Sequence, residues 1–574
     1  MTMAKRKLVR EQYFKTCKEE VIASKGLIVS NHPLASSAGI EMFARGGNAF
    51  DAAIASLFAL TVVEPMMVSI FGAGFFTLRS ADGKIEIIDN YAVAPKAAAE
   101  DMFTPVEERQ PGQYLFETVG RTNMVGRLSV TTPGALKGWE HVVEEYGKMS
   151  LSEVMEPAIR YARNGFRDSP YLVFNIEESR ADLESDPETA RVYLPNGLPP
   201  KSGELILRTD YADTLEKICR RSSDALYRGE LGKAVIDDME RRGGILTMED
   251  LESYELIFRK PAKGTYRDSY EVYSVPPVSS GGVQIIQMLG ILERFDLASM
   301  GFGSAKHLHL LAEALKIAFA DRQEFMGDPE RVSIPAEDLS SKRYAEARAK
   351  EIDLEVAGNY THGEPTLHEG SGMYTTHVSA MDSEGNIVAA TQTLFSAFGS
   401  KVTTPGTGIL LNNCMGLFDP RPGRANSVAG GKRMLSSMSP TIVLREGRPF
   451  MSLGTPGGTR IFASICQAIV NVIDFGMTIQ QAVEAPRIWT MGIRGTDGEK
   501  LHVEKGFKKD ALDGLRKKGH EMVEMPKIAG GMNGILYDSK GLMHGGACWR
   551  ADGTPMGVSG GWAHPNALIP PPKV

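Results

Sequence analysis

Residues 371–382 read SGMYTTHVSAMD. A polar, glycine-dotted segment gives way abruptly to alternating, strand-like sequence, and the strand opens on threonine. Threonine is β-branched and common in strands, so Thr375 has an ordinary reading as sheet filler. The other reading is chemical. A threonine that becomes amino-terminal carries its own base, because an α-amino group has a pKa of about 7.7–8.0, so much of it is neutral near physiological pH. That amine can take the proton of the same residue's hydroxyl, directly or through a water, and turn it into a nucleophile.

The pattern around this point supports a border. Residues 351–374 are polar and turn-rich and read as an exposed linker. After Thr375 come strand-like runs, TTHVSAMD, a turn at Glu384-Gly-Asn386, IVAATQTL, GILLNN, SPTIVL and FMSLGTP, then helices over 459–474 and 478–485. Before it, residues 134–350 are mainly helical, broken by strand-like Tyr266–Val275. Residues 34–64 read as two helices split at Gly46-Gly47, the second apolar nearly all round and therefore buried. Gly72–Arg79 and Ile85–Ile88 form a hairpin around Asp82-Gly83. Residues 8–24 alternate charge and apolar character at helical spacing and predict a leading helix.

Composition narrows the class. The chain has 574 residues, 42% hydrophobic and 24% charged, values of an ordinary globular protein with a sizeable core. A net charge of −7 excludes a general nucleic-acid binder. Five scattered cysteines without CxxC spacing argue against a zinc site or disulfide framework and fit a reducing compartment. The basic start lacks the apolar stretch of a signal peptide, and the longest apolar run, Ala52–Val63, falls short of the ~20 residues of a membrane span. The expectation is a soluble, cytoplasmic protein with no nucleic-acid or membrane partner.

Motifs for cofactors and metals fail one by one. Gly301-Phe-Gly303 lacks the third glycine of a dinucleotide fingerprint, and Gly454–Arg460 lacks the Lys-Ser/Thr ending of a P-loop. There is no GxSxG and no HExxH, and His32, His307 and His309 stand in unrelated contexts that suit structural roles. No cofactor or metal is expected. Gly457-Gly458, between an apolar strand and a helix, has two readings of equal weight: a simple turn, or backbone N–H groups converging on an oxyanion.

Taken with Ser30-Asn-His-Pro-Leu-Ala35, Gly46–Ala53, Val125–Gly134, Tyr273–Gly282, Ala320-Asp-Arg322, Gly327-Asp-Pro329, Thr375-Thr-His377, Gly408–Asn413, Leu435–Thr441 and Thr455–Gly458, the sequence resembles the γ-glutamyltranspeptidases. These are self-processing N-terminal-nucleophile hydrolases, and the resemblance spans nearly the whole chain. It implies an α+β fold, a four-layer αββα sandwich. It implies cleavage of the Tyr374–Thr375 bond, giving a large subunit of residues 1–374 and a small subunit of 375–574 that together form one unit. A higher oligomer is left open. By position, Thr375 matches the nucleophile, Thr393 the threonine that positions it, Gly457 and Gly458 the oxyanion hole, and Ser436 and Ser437 the pair that holds a substrate carboxylate.

The departures cluster where a glutamyl head group binds. Tyr91 stands in place of the arginine that grips the α-carboxylate, Phe395 in place of an asparagine, and Cys414 and Leu417 in place of residues that receive the α-amino group. The stretch from Phe418 to Leu435 is short for the family's lid loop. Deleting the partner of a desolvated charge costs on the order of 3–5 kcal/mol. The resemblance with these changes implies a threonine amidohydrolase or acyltransferase acting on a small-molecule amide with a non-glutamyl acyl group. Cephalosporin acylases and oxamate amidohydrolases are relatives of that kind, and a small keto acyl group such as oxamoyl suits the expected location. Two other readings stand beside it: a true γ-glutamyl hydrolase gripping its head group with Arg127 or Arg433, and an unprocessed binding protein.

Overall fold

The strand that carries Thr375 begins one residue earlier than expected, running from Tyr374 to Asp382, and turns back at once into Ile387–Phe395. Asp382 makes the turn, its Oδ1 accepting from the backbone N–H of Glu384 and Asn386, with Gly385 at φ +90°. A computed structural model describes residues 13–106, 116–361, 374–493 and 498–559, with Tyr374 by its backbone alone. Residues 362–373, half of the linker expected over 351–374, lie outside the described residues.

Around this hairpin a seven-stranded antiparallel sheet assembles, in the order Thr554–Val558, Gly26–Ser30, Tyr374–Asp382, Ile387–Phe395, Ala73–Arg79, Ile85–Asn90 and Ile257–Arg259. A second seven-stranded sheet orders Val21–Ala23, Met543–Ala547, Asn533–Tyr537, Arg448–Gly454, Thr441–Arg445, Tyr270–Ser274 and Ala262–Tyr266. Both sheets draw strands from either side of position 374. They stack face to face through Leu27, Val29, Met381, Ile387, Ala389, Ile442, Ile535 and Met543, all buried. Alternation along the strand follows: Ser379 points between the sheets and meets Ser452 Oγ at 3.1 Å, while Val378 and Ala380 face the helices.

Helices close the outer faces. Pro33–Ala44 and Ala49–Val63 cover the first sheet, as their apolar pattern requires. Every residue of Ala49–Val63 is buried, and its start is fixed by a capping box between Asn48 and Asp51. Gly281–Leu292, Ala305–Phe325 and Arg460–Ile473 cover the second sheet in a separate apolar cluster. The result is the expected four-layer αββα sandwich. Among the described residues no helix is long and apolar enough to cross a membrane.

Two local expectations fail. Residues 13–20 form no helix and lead into the strand Val21–Ala23. Tyr266–Val275 is not one strand, because Arg267 and Asp268 both take positive φ, +48° and +56°, and turn Ala262–Tyr266 back onto Tyr270–Ser274.

Candidate active site

Thr375 is fully buried, one residue into its strand. The ladder shifts there: Tyr374 stands opposite Phe395, but Thr375 stands opposite Thr393, so Leu394 is an extra residue on the partner strand. Thr375 Oγ1 lies 3.3 Å from Thr393 Oγ1, and the same Thr393 oxygen accepts from the backbone N–H of Phe395 at 2.8 Å. That bond helps hold Phe395 at φ +83°, a left-handed conformation rare for a bulky residue. Asn413 braces the other side, donating its N–H to Leu394 O and accepting the Ser396 N–H on its side-chain oxygen, both at 3.0 Å.

Two residues beyond Thr375, His377 hydrogen-bonds Thr391 Oγ1 at 2.9 Å and Ser379 Oγ at 3.0 Å. Burial pushes its imidazole down to about 3, so it is neutral. A Cβ on Gly454 would fall 2.4 Å from this ring, so glycine is required there and the strand Arg448–Gly454 comes up against the strand Tyr374–Asp382. Thr455-Pro456-Gly457-Gly458 then turns into the helix Arg460–Ile473. Gly457 (φ +139°) and Gly458 (φ +63°) both need glycine's freedom, and a Cβ on Gly457 would also lie 2.7 Å from Ala529.

Ser436 and Ser437 sit in a buried segment clipped to the loop before the helix Gly281–Leu292: Ser436 N–H donates to Val278 O at 3.2 Å, and Ser280 N–H donates to Ser436 O at 3.0 Å. Ser436 Oγ accepts from Met438 N–H at 3.1 Å, and Ser437 Oγ accepts from the Arg322 guanidinium at 3.0 Å.

Tyr91, Phe395, Cys414 and Leu417 all fall in one buried apolar cluster with Phe75, Met124, Met434 and Met438. Tyr91 stacks on Phe75 with ring centroids 4.9 Å apart. Phe395 and Met124 close over Gly416, where a Cβ would come within 2.7 and 2.5 Å of them. Burial raises the Cys414 thiol to about 12, so it remains an uncharged S–H.

The gamma-glutamyltranspeptidase family model matches residues 35–558. The chain belongs to this family. It is 47% identical over 553 residues to an acylase ACY 1 proenzyme of Pseudomonas sp. (strain V22), covering 96% of this chain and 97% of that one. It is 36% identical over 537 residues to the glutathione hydrolase proenzyme of Escherichia coli (strain K12), covering 92% and 90%. Among solved structures, cephalosporin acylase from Bacillus halodurans superposes with a TM-score of 0.84 at 28% identity, over 96% of this chain and 99% of that one. The gamma-glutamyltranspeptidase of Helicobacter pylori matches 60% of this chain and 97% of its own, with a TM-score of 0.55 at 35% identity. The N-terminal-nucleophile hydrolase fold and the family read from the sequence are thus both present.

The fold brings Thr375, Thr393 and Phe395 into one connected group and places the four substituted positions in the same large apolar core. It does not free the two arginines expected as alternative head-group ligands. Arg127 is bonded to Asp238 at 2.8 Å and Asp186 at 3.0 Å, and Arg433 lies 3.6 Å from Asp89. His32 caps the helix Pro33–Ala44, His307 accepts from Gly303 N–H, and His309 bonds His520 beside the buried carboxylate of Glu313. Sequence reading assigned no role to Arg322, although the Ala320-Asp-Arg322 motif that contains it was visible.

Proposed function

We propose that this chain is a self-processing amidohydrolase that cuts the Tyr374–Thr375 bond, uses Thr375 as an N-terminal nucleophile, and removes an acyl group that lacks an α-amino function. Thr375 Oγ1 attacks the carbonyl carbon of Tyr374, the peptide C–N bond breaks with its nitrogen taking a proton, and water hydrolyses the resulting ester. The free Thr375 amine then takes the Oγ1 proton as that oxygen attacks a substrate amide. The leaving amine departs with the proton, and water or an acceptor amine resolves the acyl-enzyme. Thr393 holds the attacking oxygen, and Gly457 and Gly458 offer N–H groups to the tetrahedral oxyanion.

The observation that carries the specificity is the buried, uncharged set Tyr91, Phe395, Cys414 and Leu417. An ammonium placed among them would be desolvated without a partner, a cost of roughly 3–5 kcal/mol, or about two to three and a half decades in kcat/KM. The likeness to acylase proenzymes over nearly the full length supports the same reading and favours an acylase-type acyl chain over a small keto acid such as oxamate. The engagement of Arg127 and Arg433 by carboxylates counts against a glutathione-like substrate.

The test compares γ-glutamyl 4-nitroanilide with its counterpart lacking only the α-amino group, glutaryl 4-nitroanilide. The proposal expects a higher kcat/KM for glutaryl by about two decades. Equal or better turnover of the γ-glutamyl compound would overturn the pocket reading.

A further inference from the structure

His309 and Glu313 stand one turn apart on the same face of the helix Ala305–Phe325, and both are fully buried. The packing brings His520 to them from 211 residues away, out of the turn between the helix Lys509–Lys517 and the strand Met522–Met525. Three ligand atoms converge. His309 Nδ1 and His520 Nε2 lie 2.8 Å apart, and Glu313 Oε1 lies 4.0 Å from the first and 3.7 Å from the second. A tetrahedral zinc ion with bonds of about 2.0–2.1 Å keeps its ligand atoms about 3.3 Å apart, a value these three edges bracket. Two imidazoles and one carboxylate are a ligand set for zinc and its neighbours among the divalent transition metals.

Bonds on the far side aim two of the ligands. His309 Nε2 meets Asp353 O at 2.8 Å, an atom that can only accept, so the neutral ring carries its proton on Nε2 and the Nδ1 lone pair points into the triangle. Glu313 Oε2 accepts from Gly358 N–H at 2.8 Å and Tyr360 Oη at 2.7 Å, which leaves Oε1 as the oxygen presented. His520 is 6% exposed and lines a cavity of about 210 Å³ with Lys316, Gly358, Thr490, Glu499 and Glu521, so an ion has a way in and a water can complete its shell. The competitor is Lys316, whose Nζ donates to Glu313 Oε1 at 2.8 Å and to Gly358 O at 2.9 Å. Its flexible stem lets it keep the carbonyl while it yields the carboxylate oxygen to an ion.

We propose that His309 Nδ1, His520 Nε2 and Glu313 Oε1 form a binding site for a divalent transition-metal ion of the zinc type, on the helical layer outside the second sheet. Binding moves the His520 proton from Nε2 to Nδ1, so that both facing nitrogens offer lone pairs. The expectation of no metal rested on cysteine spacing and on the lack of an HExxH, and neither registers a ligand 211 residues away. The site joins parts of the chain on either side of the proposed cut. His309 and Glu313 precede position 374 and His520 follows it, while residues 353–360, which lead toward the cut, are tied in through Asp353, Gly358 and Tyr360. The ion is a clamp between the two pieces and takes no part in acyl transfer.

The experiment takes the purified full chain as isolated, strips it with a chelator, and titrates it with zinc chloride by calorimetry, reading Tm at each zinc concentration. Wild type should take up one equivalent that raises Tm as zinc rises. His309→Gln and His520→Gln keep all five cysteines and should each lose that equivalent, an affinity drop of at least about a hundred-fold, together with its share of the Tm shift. Lys316→Met removes the competitor and should bind zinc at least about ten-fold more tightly than wild type. Cobalt chloride added to wild type should give the intense visible bands of a four-coordinate nitrogen–oxygen site, which carries the test if the glutamine variants do not fold. Equal zinc binding by wild type and both glutamine variants, a wild type whose Tm ignores zinc, or a pale six-coordinate cobalt spectrum would each overturn the site. None of these readouts involves turnover, so the amidohydrolase reading stands or falls apart from them.

Discussion

Replacing Thr393 by valine keeps the shape of the side chain and removes one oxygen that serves two partners. Thr393 Oγ1 accepts the Phe395 N–H at 2.8 Å and lies 3.3 Å from Thr375 Oγ1. The first loss takes away a bond that a buried backbone N–H makes to this oxygen, which costs about 1–3 kcal/mol. It also removes one of the bonds holding Phe395 at φ +83°, a conformation that itself costs about 1–3 kcal/mol to maintain. The second loss frees the Thr375 side chain, the proposed nucleophile, to rotate. Loss of a neutral hydrogen bond is worth roughly 0.5–1.5 kcal/mol, and a displaced nucleophile adds more through lost alignment. Together these put the fall in kcat on the order of ten- to a hundred-fold, with slower self-cleavage because the same oxygen attacks in both reactions. The assay follows precursor loss by intact mass and turnover on the preferred anilide. Thr393→Ser, which restores the oxygen, should return both close to wild type. A valine variant that cleaves itself and turns over at wild-type rates would show that Thr393 does not position Thr375.

Other predictions are shorter. Gly457→Ala places a Cβ 2.7 Å from Ala529 at φ +139°, so processing and kcat should both fall by at least ten-fold; unchanged kinetics would remove the oxyanion role. Glu313 is buried and takes bonds from Lys316 Nζ at 2.8 Å, Gly358 N–H at 2.8 Å and Tyr360 Oη at 2.7 Å. Glu313→Gln removes the counter-charge of Lys316, leaving it the Gly358 carbonyl at 2.9 Å, and should cost roughly 3–5 kcal/mol in denaturant unfolding, with activity per folded molecule preserved. Burial raises Glu64 to about 8, well above its unfolded value, while its Oε2 accepts from Thr376 Oγ1 at 2.7 Å. The native state then binds the extra proton, so wild-type stability falls as pH rises from about 4.5 to 8. Glu64→Gln should flatten that part of the Tm–pH curve; a parallel curve would refute the buried-acid assignment.

Much of the fold was legible because local pattern and tertiary demand agree. The all-apolar face of Ala49–Val63 could only be buried, and the Gly46-Gly47 break before it leaves room for the Asn48 cap. The leading segment was misread because its apolar spacing is overruled by distant bonds. Lys18 Nζ is held by the carbonyls of Cys548, Ala551 and Gly553 at 3.1, 2.8 and 2.7 Å, and the backbone N–H groups of Cys17 and Lys18 donate to Glu484. No periodicity announces such contacts. Of the candidate site, Thr375 was visible as a strand start and Thr393 through the resemblance, but their pairing across a shifted ladder is a matter of register. Arg322 was silent for a related reason: its partner Ser437 lies 115 residues away, and only the packing of the helix against the serine segment joins them.

The central claim is that the chain makes its own nucleophile at Thr375. Intact mass and amino-terminal sequencing of wild type and Thr375→Ala, purified in parallel, test it directly. The account predicts that wild type divides its 574 residues after position 374, with the second piece beginning at Thr375, while the alanine variant remains whole and inactive. A wild type that stays uncut yet hydrolyses acyl anilides, or an alanine variant that cleaves itself, would contradict it.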